Sequence, residues 1–238
     1  MDDNMERINT QFAPAADLTT SVVRVGEGGR GFIVTGKGDT KLVITAGHCL
    51  PMPMPPCMNF SGLEERTYGR LIGSIGKKLT ISAECLFVDP ISDLAVLGPT
   101  DDQELSKEYD AYQRFVEPLA AFSISNAEQH ERGWVLSRAR EWQPCDMSHF
   151  GGSLWLGDKV NIQLGMSGSP ILSASGDAVG VITSNRAQAR LLHSLPCWML
   201  ESVLQSKIAA AKLARRDARA RNEFKAFNAA LVEAARSR

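Results

Sequence analysis

Thr45-Ala46-Gly47-His48-Cys49 closes the apolar run Leu42-Val43-Ile44-Thr45-Ala46, and it is the first of three segments whose order governs the reading of this chain. Ser92-Asp93-Leu94-Ala95-Val96-Leu97 follows, and then Gly165-Met166-Ser167-Gly168-Ser169-Pro170. Each has an ordinary meaning when taken alone. A histidine at the end of an apolar run is commonly structural, an aspartate before an apolar strand is commonly a turn residue, and a serine between glycines is commonly a turn. Together they supply a base, a carboxylate and a hydroxyl, each flanked by strand-like sequence. A neutral imidazole at His48 could take the Ser167 proton, and the glycine-flanked backbone could aim amide N–H groups at a developing oxyanion. The chemistry this suggests is acyl transfer. A Gly-x-Ser-x-Gly elbow on an α/β sheet would place the histidine last, whereas here it comes first.

At these three segments the chain resembles the trypsin/chymotrypsin-like serine peptidases. The likeness extends to Gly31-Phe32-Ile33-Val34 before the histidine and to Gly176-Asp177-Ala178-Val179-Gly180-Val181-Ile182-Thr183 after the serine, so it spans roughly residues 19–195. It implies an all-β architecture of two six-stranded β-barrels. The triad it implies has His48 as general base, Asp93 fixing the imidazole tautomer, and Ser167 as nucleophile. The backbone N–H groups of Gly165 and Ser167 would form the oxyanion hole, with Gly165 able to take the positive φ that turns such an amide inward. The expected activity is that of a serine endopeptidase. A serine esterase on the same scaffold, or an idle homologue serving as a binding module, are the alternatives.

Two departures bear on how the site is ordered. Secreted digestive members carry an aspartate before the serine, which pairs with a new N-terminus made by cleavage. This chain has Met166 there and Ser21-Val22-Val23-Arg24-Val25 in place of an Ile-Val-Gly-Gly activation sequence. The resemblance is therefore to the bacterial-type, non-zymogen branch. Cys49 follows the histidine as in disulfide-bearing relatives, yet its usual partner position is expected near Phe32, so the staple is missing.

The chain has 238 residues, 44% of them hydrophobic, enough for two small barrels, and a formal net charge of −1. No apolar run approaches the ~18 residues that span a bilayer, so no membrane association is expected. Five cysteines, an odd number, and the polar start Met1-Asp2-Asp3-Asn4 point to reduced thiols and a cytoplasmic location. No Cys-x-x-Cys spacing occurs, and neither a metal nor a cofactor is expected.

Residues 1–18 read as an N-terminal arm, 19–100 as the first barrel, 101–118 as the connection between barrels, and 119–195 as the second barrel. Strand-like runs fall at 22–25, 31–35, 42–45, 68–75, 79–88 and 94–97, then at 134–137, 153–156, 160–164, 170–172 and 179–183. Pro51-Met52-Pro53-Met54-Pro55-Pro56 lacks ladder donors and reads as a loop beside His48, whose methionines could face the leaving group. Spacing from Ser167 places Asn161, Ile162 and Gln163 on one wall of the primary pocket and Ile182, Thr183, Ser184 and Asn185 on the other. None is acidic, which favours an uncharged side chain there, because a buried cation would need a carboxylate. Thr183-Ser184-Asn185 would pair with an extended peptide or protein substrate.

Residues 196–238 contain no internal Gly or Pro and are rich in Ala, Leu, Lys, Arg and Glu, so a long C-terminal helical tail is expected. At full length it would run about 60 Å. Phe224, Phe227, Ala230, Leu231 and Ala234 form an apolar stripe that could pack on the protein itself or serve a protein partner or self-association. Few hydroxyl or aromatic residues interleave its basic ones, which makes nucleic acid a poor match.

Overall fold

In the computed structural model, described over residues 14, 16–55, 66–125, 132–150, 153–157, 160–183 and 188–191, short apolar strands organise two barrels in succession. A 3-10 turn, Ala16–Ser21, leads into β1 (Val22–Val25), β2 (Gly29–Thr35), β3 (Lys41–Ala46), β4 (Thr67–Ser74), β5 (Ile81–Asp89) and β6 (Leu94–Gly98). These close antiparallel in the order β1-β2-β3-β6-β5-β4. The second set is β7 (Arg132–Leu136), β8 (Trp142–Phe150), β9 (Ser153–Leu156), β10 (Pro170–Ser173), β11 (Ala178–Val181) and β12 (Gln188–Leu191), closed as β10-β11-β12-β9-β8-β7.

Successive side chains of a strand point to opposite faces, so a strand buried on both faces must serve two cores. β2 is such a strand. Ile33 joins Val23, Val43, Leu71 and Leu97 inside the first barrel. Phe32 and Val34 point the other way, joining Ile44, Phe122, Leu136, Leu172 and Val181 in a cluster shared by the two barrels. Phe32 meets Phe122 edge to face at 5.8 Å, an arrangement that adds to the burial of both rings. A third cluster, with Val135, Leu154, Met166, Ile171 and Val179, fills the second barrel.

The stretch expected only as a connection holds a helix, α1 (Ser106–Val116), so the fold is mostly rather than entirely β. Lys107, Asp110 and Arg114 are exposed, while Tyr112 and Val116, one turn apart, are buried against the first barrel. Lys41 Nζ donates to the carbonyls of Val116, Glu117 and Leu119 at the helix C-terminus, where a cation complements the exposed carbonyls.

Three local expectations are corrected. Residues 160–164 form no strand, because Val160 N–H turns back to Gly157 O and Met166 N–H to Gln163 O. β8 and β12 are strands that the sequence reading passed over. In β8, Pro144 and the polar residues Asp146 and Ser148 mask an alternation in which Cys145 and Met147 point inward. The C-terminal tail and most of the N-terminal arm lie outside the described residues. Among the described residues no helix is long and apolar enough to cross a membrane, and no group of three or more His, Cys, Asp or Glu side chains could hold a metal ion.

Candidate active site

β3 ends at Ala46 and a 3-10 turn, Gly47–Cys49, lifts His48 to the rim of the first barrel. The chain comes close to Asp93 here: Gly47 N–H donates to Asp93 O at 2.9 Å, and a Cβ on Gly47 would sit 3.1 Å from Asp93 Oδ1. Asp93 itself adopts φ +55°, a left-handed conformation uncommon outside glycine, just before β6. Both of its carboxylate oxygens are used by the histidine. Oδ1 accepts from the His48 backbone N–H at 2.8 Å, and Oδ2 lies 2.7 Å from His48 Nδ1. A carboxylate only accepts, so Nδ1 carries the proton and the lone pair is left on Nε2. The hydrogen bond to Asp93 raises the His48 pKa above its ordinary value; partial burial opposes this and the carboxylate charge adds to it. The His48 side chain is 47% exposed, so water is excluded from it only once something occupies the site.

Ser167 lies on the loop between β9 and β10. The loop is pinned from both sides. Within the second barrel, Met166 is fully buried, its Sδ accepting from Gln163 N–H, while Gly168 N–H donates to Ile182 O and Ile182 N–H to Ser169 O. Met166 thus anchors the turn by packing, contributing roughly 2 kcal/mol of transfer free energy. From the first barrel, Arg30 N–H donates to Ser167 O at 2.7 Å. Gly168, at φ +81°, lets the chains meet, since a Cβ there would lie 1.8 Å from Arg30 O. Gly165 has φ +88°. Among the described residues neither the Gly165 nor the Ser167 amide donates a hydrogen bond.

Arg30 was not singled out by sequence, although a charged residue inside an apolar strand was a visible signal. Only 5% exposed, its guanidinium donates to Leu136 O, Ser137 O and Arg138 O across the barrel interface. Burial, with the nearby Arg140 and Arg138 charges, lowers its pKa to about 10, which still leaves it charged at neutral pH.

His48, Gly165 and Ser167 open together on a cleft of about 730 Å³. Its remaining walls come from the β1–β2 turn (Gly26, Glu27, Gly28, Gly29), the segment after the histidine (Leu50, Pro51, Met52), the β4–β5 hairpin (Gly69, Arg70, Leu71, Leu79) and Leu164. Four distant segments build it, which is why spacing from Ser167 did not reveal it. Of the described residues expected to wall the primary pocket, none lines this cleft. Asn161 and Gln163 are exposed, Ile162 packs on the second-barrel core, Ile182 is buried, and Thr183 is half-buried. Ser184 and Asn185 are outside the described residues, as is Asp158. Of the two methionines after His48, Met52 faces the cleft and Met54 packs against the first-barrel core.

The expected position opposite Cys49 is also corrected. Phe32 is turned into the core between the barrels, and Gly29 faces the thiol instead: a Cβ on Gly29 would lie 2.2 Å from Cys49 Sγ and 2.8 Å from its Cβ. A disulfide needs about 3.5–4.5 Å between Cβ atoms, so the pair is too close for a staple without the strands moving apart. Cys49 is a free, buried thiol whose pKa burial pushes up to about 11.

No protein-family model matches the chain, and no curated protein matches it. Solved structures do. The serine protease of a human pathogenic astrovirus is 14% identical, with 73% of this chain and 90% of that chain covered and a TM-score of 0.46. Deg5 is 16% identical, covering 85% and 99%, with a TM-score of 0.48. Rv3671c from M. tuberculosis H37Rv, in an inactive serine-to-alanine form, is 15% identical, covering 82% and 89%, with a TM-score of 0.44. Each is a resemblance at low sequence identity.

Proposed function

We propose that this chain is a serine endopeptidase that cleaves peptide bonds through an acyl-enzyme on Ser167. The observation that carries the reading is the pairing of both Asp93 carboxylate oxygens with His48, on a cleft that Ser167 and Gly165 share. In this reading His48 Nε2 takes the Ser167 Oγ proton as Oγ attacks the carbonyl carbon. The same proton passes to the leaving amine as the C–N bond breaks. Water then attacks the ester, giving its proton to Nε2, and Ser167 is released with its proton restored. Asp93 holds the tautomer and stabilises the imidazolium between these transfers. The amides of Gly165 and Ser167 receive the oxyanion, each such donor lowering the barrier by about 3 kcal/mol. Residues 161–163 and 182–185 would contact the acyl portion of the substrate, with strand pairing along Thr183-Ser184-Asn185.

The test is covalent labelling of the full chain with a fluorophosphonate probe, the modified residue being located by mass spectrometry. Labelling at Ser167 that vanishes in both Ser167→Ala and His48→Ala is the expected result. Folded native protein that takes up no probe, or that is labelled elsewhere, overturns the reading.

A further inference from the structure

The cleft contains a feature that the triad does not use. The β4–β5 ladder changes register between Tyr68 and Ile72, and within that irregularity Arg70 takes φ +53°. Bulges of this kind re-aim side chains beside functional sites, and a left-handed arginine is an unfavourable choice for a strand position without a task. Arg70 is exposed and lines the same cleft as His48 and Ser167, and its side chain makes no hydrogen bond or ion pair among the described residues. The other charged wall residue is Glu27, which forms no ion pair with Arg70. Met52 and Leu164, 77% and 80% exposed, stand on the rims contributed by the histidine loop and the serine loop. Large apolar side chains this open to water gain most when something covers them.

We infer that this cleft binds the leaving-group portion of a peptide, gripping an apolar residue between Met52 and Leu164 and taking a carboxylate at Arg70. The assignment rests on the proposed peptidase reading, since it is His48 that hands its proton to the departing amine and first-barrel residues around His48 supply most of the cleft's lining. A guanidinium matches a carboxylate through two parallel N–H donors, so the charge chooses an anion and the fork chooses its shape. Either an acidic side chain or the free C-terminus of the peptide supplies that group.

The test is a titration of the full chain carrying Ser167→Ala, followed by amide NMR shifts, with three product-like dipeptides. Leu-Glu with an amidated C-terminus offers a side-chain carboxylate, Leu-Gln with a free C-terminus offers a terminal one, and amidated Leu-Gln offers neither. At least one of the first two should bind about fivefold more tightly than the third, the range of an exposed ion pair. Which of them does so identifies the source of the carboxylate. The preference should vanish in Arg70→Asn, which tolerates the left-handed backbone, and persist in part in Arg70→Lys. Equal binding of all three, no binding of any, or a preference that survives Arg70→Asn overturns the assignment. Because Ser167 labelling reads the chemistry and this titration reads recognition, the two can fail separately.

Discussion

The backbone N–H of Arg30 donates to the carbonyl of Ser167 at 2.7 Å, so a first-barrel strand holds the second-barrel loop that carries the serine. The same residue accepts a hydrogen bond from Thr45 Oγ1, three residues before His48, and sends its guanidinium into the second barrel. One residue therefore ties the histidine strand, the serine loop and the β7–β8 hairpin together. Main-chain groups have no rotamers to lose, so this link fixes the spacing of His48 and Ser167 more firmly than a flexible side-chain pair would.

Replacing Arg30 tests this strut. Arg30→Met keeps apolar bulk but strips three carbonyls of their donor, and should lower unfolding stability by about 3 kcal/mol in a urea titration. Arg30→Lys should recover less than half of that, because an ammonium cannot reproduce the fork. Wild-type stability in Arg30→Met would show the strut to be dispensable.

Gly168 is a point at which no side chain fits. A Cβ there would meet Arg30 O at 1.8 Å and Thr45 Oγ1 at 2.6 Å, in a conformation that already disfavours L residues. Gly168→Ala should cost about 3 kcal/mol or more and lower the midpoint of thermal unfolding accordingly. Gly69→Ala, with nothing within 4 Å of the added atom, serves as the comparison and should change stability by less than about 1 kcal/mol.

The state of His48 sets the pH profile. General base action needs neutral imidazole, so the rate of Ser167 labelling should rise with pH through a midpoint above the ordinary 6.5. Asp93→Asn removes the cause of the upward shift, and should lower both the midpoint and, by orders of magnitude, the rate. The stability linkage runs the other way. A pKa raised in the folded state gives a stabilising contribution that is present below the ordinary pKa and lost as pH climbs through the raised one.

Thiol chemistry distinguishes the buried cysteines. Burial raises Cys49 and Cys85 to about 11 and Cys145 to about 12. Thiolate is the reactive form, so native protein treated with iodoacetamide at pH 8 should remain unmodified at all three while the unfolded chain reacts at each. Rapid native alkylation of Cys49 would contradict its packing against Gly29.

What the sequence determined by itself was local. Gly47-His48, Asp93 before an apolar strand, and Gly165 through Gly168 around the serine each encode a short turn whose geometry depends on residues a few positions apart. The turns that carry His48, Asp93 and Ser167 were therefore legible before any coordinates. Most first-barrel strands were legible too, because their apolar runs are short and bounded by turn residues. The tertiary structure decided what depends on distant neighbours. It set Gly29 against Cys49, turned Phe32 toward the second barrel, closed the second barrel with β8 and β12, buried Arg30 among carbonyls, and brought Met52, Arg70 and Leu164 onto one cleft. Periodicity reports which face of an element is apolar. It carries no information about which remote segment that face will meet, since that is settled only when the barrels close and pack against each other.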